Sequence, residues 1–174
     1  MRHTKLLATC ALALFSVAAA AAASAQESYT SETDSYSIEL PSQAWKAVPR
    51  TDGVHEHMEF VNGDRSDGYL RVRKEVVDGG TSLSDFARGQ QDTKLRFLPG
   101  FVASGKEERF AGRLTGIVTG YEYTSAGKPM AGRIYYLQAD SRTVYVLHFQ
   151  GARDRLQRIQ NQTDAIARSF RLKQ

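Results

Sequence analysis

Three side chains able to ligate metal stand at alternate positions in His55-Glu56-His57-Met58-Glu59. In a strand, alternate residues share one face about 7 Å apart, and two imidazoles so placed can share a zinc ion. A built metal site needs a third fixed ligand and partners that orient the rings. The sequence supplies none at diagnostic spacing, since His148 is the only other histidine beyond His3. A polar, solvent-facing strand surface is therefore the favoured reading, and no metal ligand is assigned. Arg71-x-Arg73 repeats the same spacing. Beside His55 and His57 on a paired strand, these arginines would form a basic patch for an anionic ligand or partner. The competing reading is cross-strand pairing with Glu59 and Glu75, because opposite charges commonly face each other. His55, His57, Arg71 and Arg73 are thus the candidate partner-binding residues.

No catalytic or cofactor-binding residue is assigned. There is no G-x-S-x-G elbow, Walker loop, dinucleotide fingerprint, HExxH or EF-hand pattern. Gly112, Gly116 and Gly120 lie in a strand-like run with no helix after them, so they mark bulges or close backbone approach. Asn161-Gln162-Thr163 fits a glycosylation acceptor but falls inside a helical stripe and is set aside. Tyr121, Tyr123, Tyr135, Tyr136 and Tyr145 are read as packing at the core and its edge.

The first 25 residues differ in composition from the rest. Arg2, His3 and Lys5 precede an uncharged run from Leu6 to Ala23, rich in alanine and leucine, and Ala23-Ser24-Ala25 follows. This is the form of a secretory leader, with cleavage expected between Ala25 and Gln26. A transmembrane anchor is the first rival, but the run is weakly hydrophobic and ends in a cleavage motif. Lipidation at Cys10 is the second, but Cys10 sits near the start of the apolar run, where a lipidated cysteine would follow it. Removing 25 of the 174 residues leaves 149, none of them cysteine. That excludes disulfides, thiolate metal sites and cysteine nucleophiles from the trimmed chain. A chain of this size buries about 68–70% of its unfolded surface, enough for a core without staples. Arg2 and Lys5 leave with the leader, so the net charge of +4 becomes +2. That is too small an excess for a nucleic-acid binder. The arginines from Arg153 to Arg171 are read as a solvated helix face.

The elements that position these residues follow from periodicity. Tyr36 to Leu40 alternates apolar and polar residues and ends at Pro41, with Trp45 close behind as a core or edge anchor. Val54 to Val61 places Met58 and Phe60 opposite His55, His57 and Glu59. Tyr69 to Val77 places Leu70, Val72 and Val76 opposite Arg71, Arg73 and Glu75. These two runs are expected to pair as a hairpin across the turn residues Asn62-Gly63-Asp64 and Asp67-Gly68. Ser82, with Asp85 three residues on, caps a helix of about four turns on which Leu83, Phe86, Ala87, Gln90, Lys94 and Phe97 recur at steps of three and four. Pro99-Gly100 stops it. Four strands follow, Phe101 to Phe110, Arg113 to Tyr123, Met130 to Ala139 and Thr143 to Gln150, joined by turns short enough to force antiparallel neighbours. Both faces of the last strand are apolar, so it is central and covered on both sides. A single helix from about Arg153 to Phe170 closes the chain, its stripe drawn by Leu156, Ile159, Thr163, Ile166 and Phe170.

The fold class is therefore α+β: an antiparallel sheet of about six to seven strands covered by two main α-helices, in one domain from residue 26 to 174. Tyr36-Ser37-Ile38-Glu39-Leu40-Pro41 with Trp45, Thr81-Ser82-Leu83-Ser84-Asp85-Phe86-Ala87, and the ending Val144-Tyr145-Val146-Leu147-His148-Phe149 with Ile166-Ala167-Arg168-Ser169-Phe170 resemble Mog1/PsbP-like domains. The resemblance runs from about Tyr29 to Leu172. It implies an α/β/α sandwich and a binding or accessory role without catalysis, and it brings no catalytic motif to carry over. The expectation is an exported, non-enzymatic binding protein, periplasmic or secreted. Its partner would be a protein or an envelope component, with no cofactor, no nucleic acid and no membrane span after leader cleavage. The alternative is a small-molecule carrier or a hydrolase whose cleft the sequence does not announce.

Overall fold

The structure is a computed structural model and describes residues 27–173. The expected leader, its cleavage point and Cys10 lie outside the described residues.

Seven strands form one antiparallel sheet: β3 (Trp45–Asp52), β4 (His55–Asn62), β5 (Tyr69–Val76), β6 (Val102–Ala111), β7 (Thr115–Ser125), β8 (Lys128–Gln138) and β9 (Thr143–Ala152). Their order across the sheet is β3-β4-β5-β9-β8-β7-β6. β9 occupies the middle, as its two apolar faces require. Tyr145, Leu147 and Phe149 enter one core, and Val144 and Val146 enter the other. The expected β4–β5 hairpin forms, pairing Glu59 with Arg71 and Phe60 with Leu70.

The chain leaves β5 and must reach the far edge to begin β6. It does so across one face as α1 (Leu83–Gln90), capped by Ser82, whose hydroxyl accepts from Asp85 N at 3.1 Å. The predicted four-turn α-helix is shorter than expected. A π-helical turn, Gln91–Leu95, replaces its second half, with Arg96 N donating to Gln91 O five residues back at 2.9 Å. The wider turn rotates the apolar face. Leu95 and Leu98 therefore pack on the sheet, and Phe97, expected on that face, stands exposed.

The other face is covered by α2 (Arg153–Arg158), α3 (Gln160–Ser169) and a small sheet of β1 (Glu27–Thr30), β2 (Tyr36–Leu40) and β10 (Arg171–Leu172), in the order β1-β2-β10. The single closing helix of the sequence reading is broken at Ile159 (φ −98°, ψ 12°), whose carbonyl accepts from Gln162 N and Thr163 N and so starts α3. No glycine or proline marks the break. Ile159 is held where its side chain presses on Gly68, at which an added Cβ would lie 2.9 Å from Ile159 Cδ1. Phe170 ends α3 fully buried, stacked on Tyr36 at 5.3 Å and packed on Tyr145 at 4.9 Å. Val76 keeps the expected face with Leu70 and Val72. The packed layer on its side of β5 reaches Leu70 and Val72 but not Val76, which is exposed.

Trp45 is buried at the start of β3, edge-on to Phe149, and its Nε1 donates to Gln162 Oε1 at 2.7 Å. β3 itself was not expected; its run from Trp45 to Asp52 carries Pro49 in its middle. Pro49 is tolerated because β3 lies at the sheet edge, where an N–H can be spared. Gly53 (φ +65°) is the first central residue of the two-residue turn joining β3 to β4, with Asp52 opposite His55. This is the position at which a tight hairpin selects glycine.

Candidate functional site

α1 and the segment after it pack over Ile117, Tyr136 and Val146. Beyond them the same face continues onto β5, β4 and β3, where most of the side chains are polar. β3 contributes Arg50, β4 contributes His57 and Glu59, and β5 contributes Arg71 and Arg73. They share a face because the register sets Val48 opposite Glu59 and Glu59 opposite Arg71.

Glu59 is the fixed charge of this face, with its side chain 5% exposed. Arg65, from the β4–β5 loop, grips it with both arms, Nε to Oε2 at 2.8 Å and Nη2 to Oε1 at 3.0 Å. The loop is held by Asp64, whose carboxylate accepts from Ser66 N at 2.8 Å and Ser66 Oγ at 2.9 Å. The Arg65 guanidinium also lies 4.0 Å from the centre of the Tyr69 ring. The hydrogen bonds from Arg65 hold the Glu59 carboxyl below the ordinary carboxylate range, and the same pair pushes Arg65 upward.

Around this pair the face opens into a cavity of about 500 Å³, walled by Arg50, Asp52, His57, Glu59, Arg65 and Arg71. Arg50 Nε stands 3.7 Å from Glu59 Oε2, and Arg71 Nη1 stands 3.7 Å from Asp52 Oδ2. Those are ion-pair distances, beyond hydrogen-bond reach. His57 Nε2 lies 3.6 Å from Glu59 Oε1. Among the described residues, neither buried ring nitrogen of His57 has a hydrogen-bond partner.

The floor beside the cavity is a row of hydrogen-bonded side chains. Tyr69 Oη donates to Gln150 Oε1 at 2.5 Å, and Gln150 Nε2 donates to Tyr121 Oη at 2.6 Å. Tyr121 Oη is 2.7 Å from His148 Nε2. The row crosses β8 because that strand presents Gly132 in register between Gln150 and Tyr121. A Cβ on Gly132 would fall 2.1 Å from the Tyr121 ring, so only glycine leaves the ring this path. Burial first, then Arg73 and Arg71, push the His148 pKa down to about 3, which favours the neutral ring beside the Tyr121 hydroxyl.

Of the four sequence candidates, His57 and Arg71 line the cavity. His55 lies exposed at the hairpin tip opposite Asp52, and Arg73 turns to Glu75 at 3.8 Å. Neither lines the cavity. The cross-strand pairing expected for Arg73 and Glu75 is found instead along one strand. Arg71 faces Glu59 in register but ion-pairs with Asp52. Sequence reasoning missed Arg50, Asp52 and Arg65. Asp52-Gly53 was a legible hairpin signal that would have extended the pairing back through Arg50. Arg65 had no signal, since its role depends on the loop conformation. Among the described residues, no group of three or more His, Cys, Asp or Glu side chains is placed to hold a metal ion. Among them too, no helix is long and apolar enough to cross a membrane.

No protein-family model matches this sequence, and no curated protein matches it. Solved structures do match in shape. LpqN of Mycobacterium tuberculosis, described as involved in cell envelope biogenesis, aligns with 86% of this chain and 92% of its own, at TM-score 0.55 and 17% identity. The Ran-binding protein Mog1p of Saccharomyces cerevisiae aligns with 84% of this chain and 95% of its own, at TM-score 0.60 and 10% identity. The PsbP protein of the cyanobacterium Synechocystis, CyanoP, aligns with 91% of this chain and 98% of its own, at TM-score 0.57 and 16% identity. Strand order, two helical covers and these alignments agree: the chain has the Mog1/PsbP-like fold.

Proposed function

We propose that this is an exported, non-catalytic binding protein of the cell envelope that engages its partner through the open half of the sheet face. The observation that carries the reading is the cavity beside α1, where Arg50 and Arg71 hold their counter-charges only at ion-pair distance. Guanidinium groups so placed keep donors for an incoming anionic group. Support for the envelope comes from the N-terminal leader pattern and from the fold shared with LpqN, a protein of envelope biogenesis. Support for a binding role comes from the fold shared with Mog1p, a Ran-binding protein. The signal peptide, its cleavage and the single folded unit from residue 26 to 174 belong to this proposal.

The test of export is intact-mass measurement of the protein recovered from its host, with fractionation of the envelope. The expected product begins at Gln26 and is found outside the cytoplasm. A chain recovered in the cytoplasm with residues 1–25 attached, or one carrying a lipid on Cys10, contradicts this reading.

A further inference from the structure

We propose that the cavity between β3, β4 and β5 is a binding site for a phosphate group, of the kind carried by a phosphomonoester. The inference deepens the reading of this face as a binding surface and rests on it.

The donors come from three strands. Arg50 approaches from β3, His57 from β4 and Arg71 from β5, with Arg65 behind them on the loop. Arg65 is spent: its fork is filled by Glu59 at 2.8 and 3.0 Å. Glu59 in turn is neutralised by that fork, so it acts as a positioning residue that fixes Arg65 and draws Arg50 and His57 to within 3.7 Å. Arg50 and Arg71 remain, set against the single carboxylate of Asp52, whose side chain is 71% exposed. The cavity therefore keeps an excess of positive charge after its own pairs are counted. An exposed aspartate at 3.7 Å is a partner that an incoming anion can displace.

Geometry favours phosphate over carboxylate. A planar carboxylate is satisfied by one fork, as Glu59 shows with Arg65. A tetrahedral phosphate presents oxygens in several directions and carries about −1.5 to −2 charges near neutral pH. It is matched by two guanidinium groups on different strands together with an imidazole between them. The His57 ring lines the same cavity, with Nε2 3.6 Å from Glu59 Oε1 and no hydrogen-bond partner of its own among the described residues. A volume of about 500 Å³ admits the phosphate and part of the group that bears it.

The test is calorimetric titration of the purified protein at low salt with inorganic phosphate and, separately, with acetate. Vesicles of phosphatidylcholine with and without phosphatidic acid form a parallel arm. Saturable phosphate binding with none for acetate is expected. Arg50→Gln and Arg71→Gln should each weaken it roughly tenfold or more, the loss of one charge-assisted contact. Arg158→Gln, on the exposed surface of α2 and paired with Asp154, should leave it unchanged. Thermal melts accompany each variant; if Arg71→Gln melts early, Arg50→Gln at the sheet edge carries the comparison. Retention on phosphatidic acid vesicles assigns the phosphate to a lipid headgroup, and phosphate binding without retention assigns it to a soluble phosphomonoester. Both support the site. Absence of saturable phosphate binding, equal binding of acetate, or an equal loss in Arg158→Gln overturns it. An exported protein indifferent to phosphate refutes this site alone, whereas a phosphate-binding protein retained in the cytoplasm refutes the export reading and leaves the site standing.

Discussion

Glu59 shows at single-residue scale how a charge is kept inside a sheet. Its carboxylate is almost wholly covered, yet both oxygens are engaged by Arg65. Glu59→Gln keeps the shape and removes the charge. Because Arg65 is half-exposed, water screens part of the pair, and the expected loss at neutral pH is about 1–2 kcal/mol. The folded pKa of Glu59 is lowered, so its stabilisation is fully present above the ordinary value of 4.5 and is lost as pH falls through the folded value. Urea unfolding at neutral pH should therefore separate wild type from Glu59→Gln, and unfolding well below pH 4 should bring them together. A difference that persists in acid contradicts the pair. His148 adds a second, higher window. Its folded pKa is depressed from 6.5 to about 3, so the unfolded chain binds more protons between those values and stability falls as pH drops through that range. His148→Asn should flatten the fall in melting temperature between pH 6.5 and 4.5, above the range in which Glu59 titrates. An unchanged slope sinks the assignment. Neither residue's environment was legible in the sequence. Glu59 reads as one more polar position on an alternating strand, and its burial depends on a loop arginine six residues away.

Elements whose signals are local were the legible ones. The run Thr143 to Gln150, apolar on both faces, could only be a central strand, and β9 is central. Ser82 and Asp85 announced the start of α1 by chemistry that needs no tertiary context. Elements decided by distant contacts were not legible. Ile159 breaks the last helix because Gly68 receives its side chain, and β10 exists only because β2 offers an edge to Arg171 and Leu172. The strand β3 fell between these cases, with a visible turn at Asp52-Gly53 and a proline in the middle of the run before it. Gly132 is the element-scale feature with the clearest consequence. Adding a methyl group there pushes against the buried Tyr121 ring and parts it from Gln150 and His148. Gly132→Ala should destabilise by about 1–3 kcal/mol, the usual cost of overpacking a filled site. A melt matching wild type would show that Tyr121 has room the structure does not grant it.

At the scale of the whole molecule, the asymmetry of the two faces matters most. One face is roofed by α2, α3 and the small sheet. The other is roofed by α1 over its β7–β9 half and left polar over β3, β4 and β5. The asymmetry follows from connectivity: a chain that must travel from β5 to the far-edge strand β6 lays its helix over the strands it crosses and over no others. The uncovered half is then the natural place for a partner, and four arginines, Arg50, Arg65, Arg71 and Arg73, collect there although the whole chain carries a net charge of only +4. Salt should weaken association at such a surface, because exposed charges are screened within about 10 Å at 0.1 M.

The most direct measurement is affinity capture from an envelope extract of the host, comparing the wild-type chain with the Arg50→Gln/Arg71→Gln double variant at equal folded concentration. The account predicts an envelope component retained by wild type at low salt, released as salt rises and missing from the double variant. Equal retention by the two proteins would contradict it, as would an extract from which wild type retains nothing.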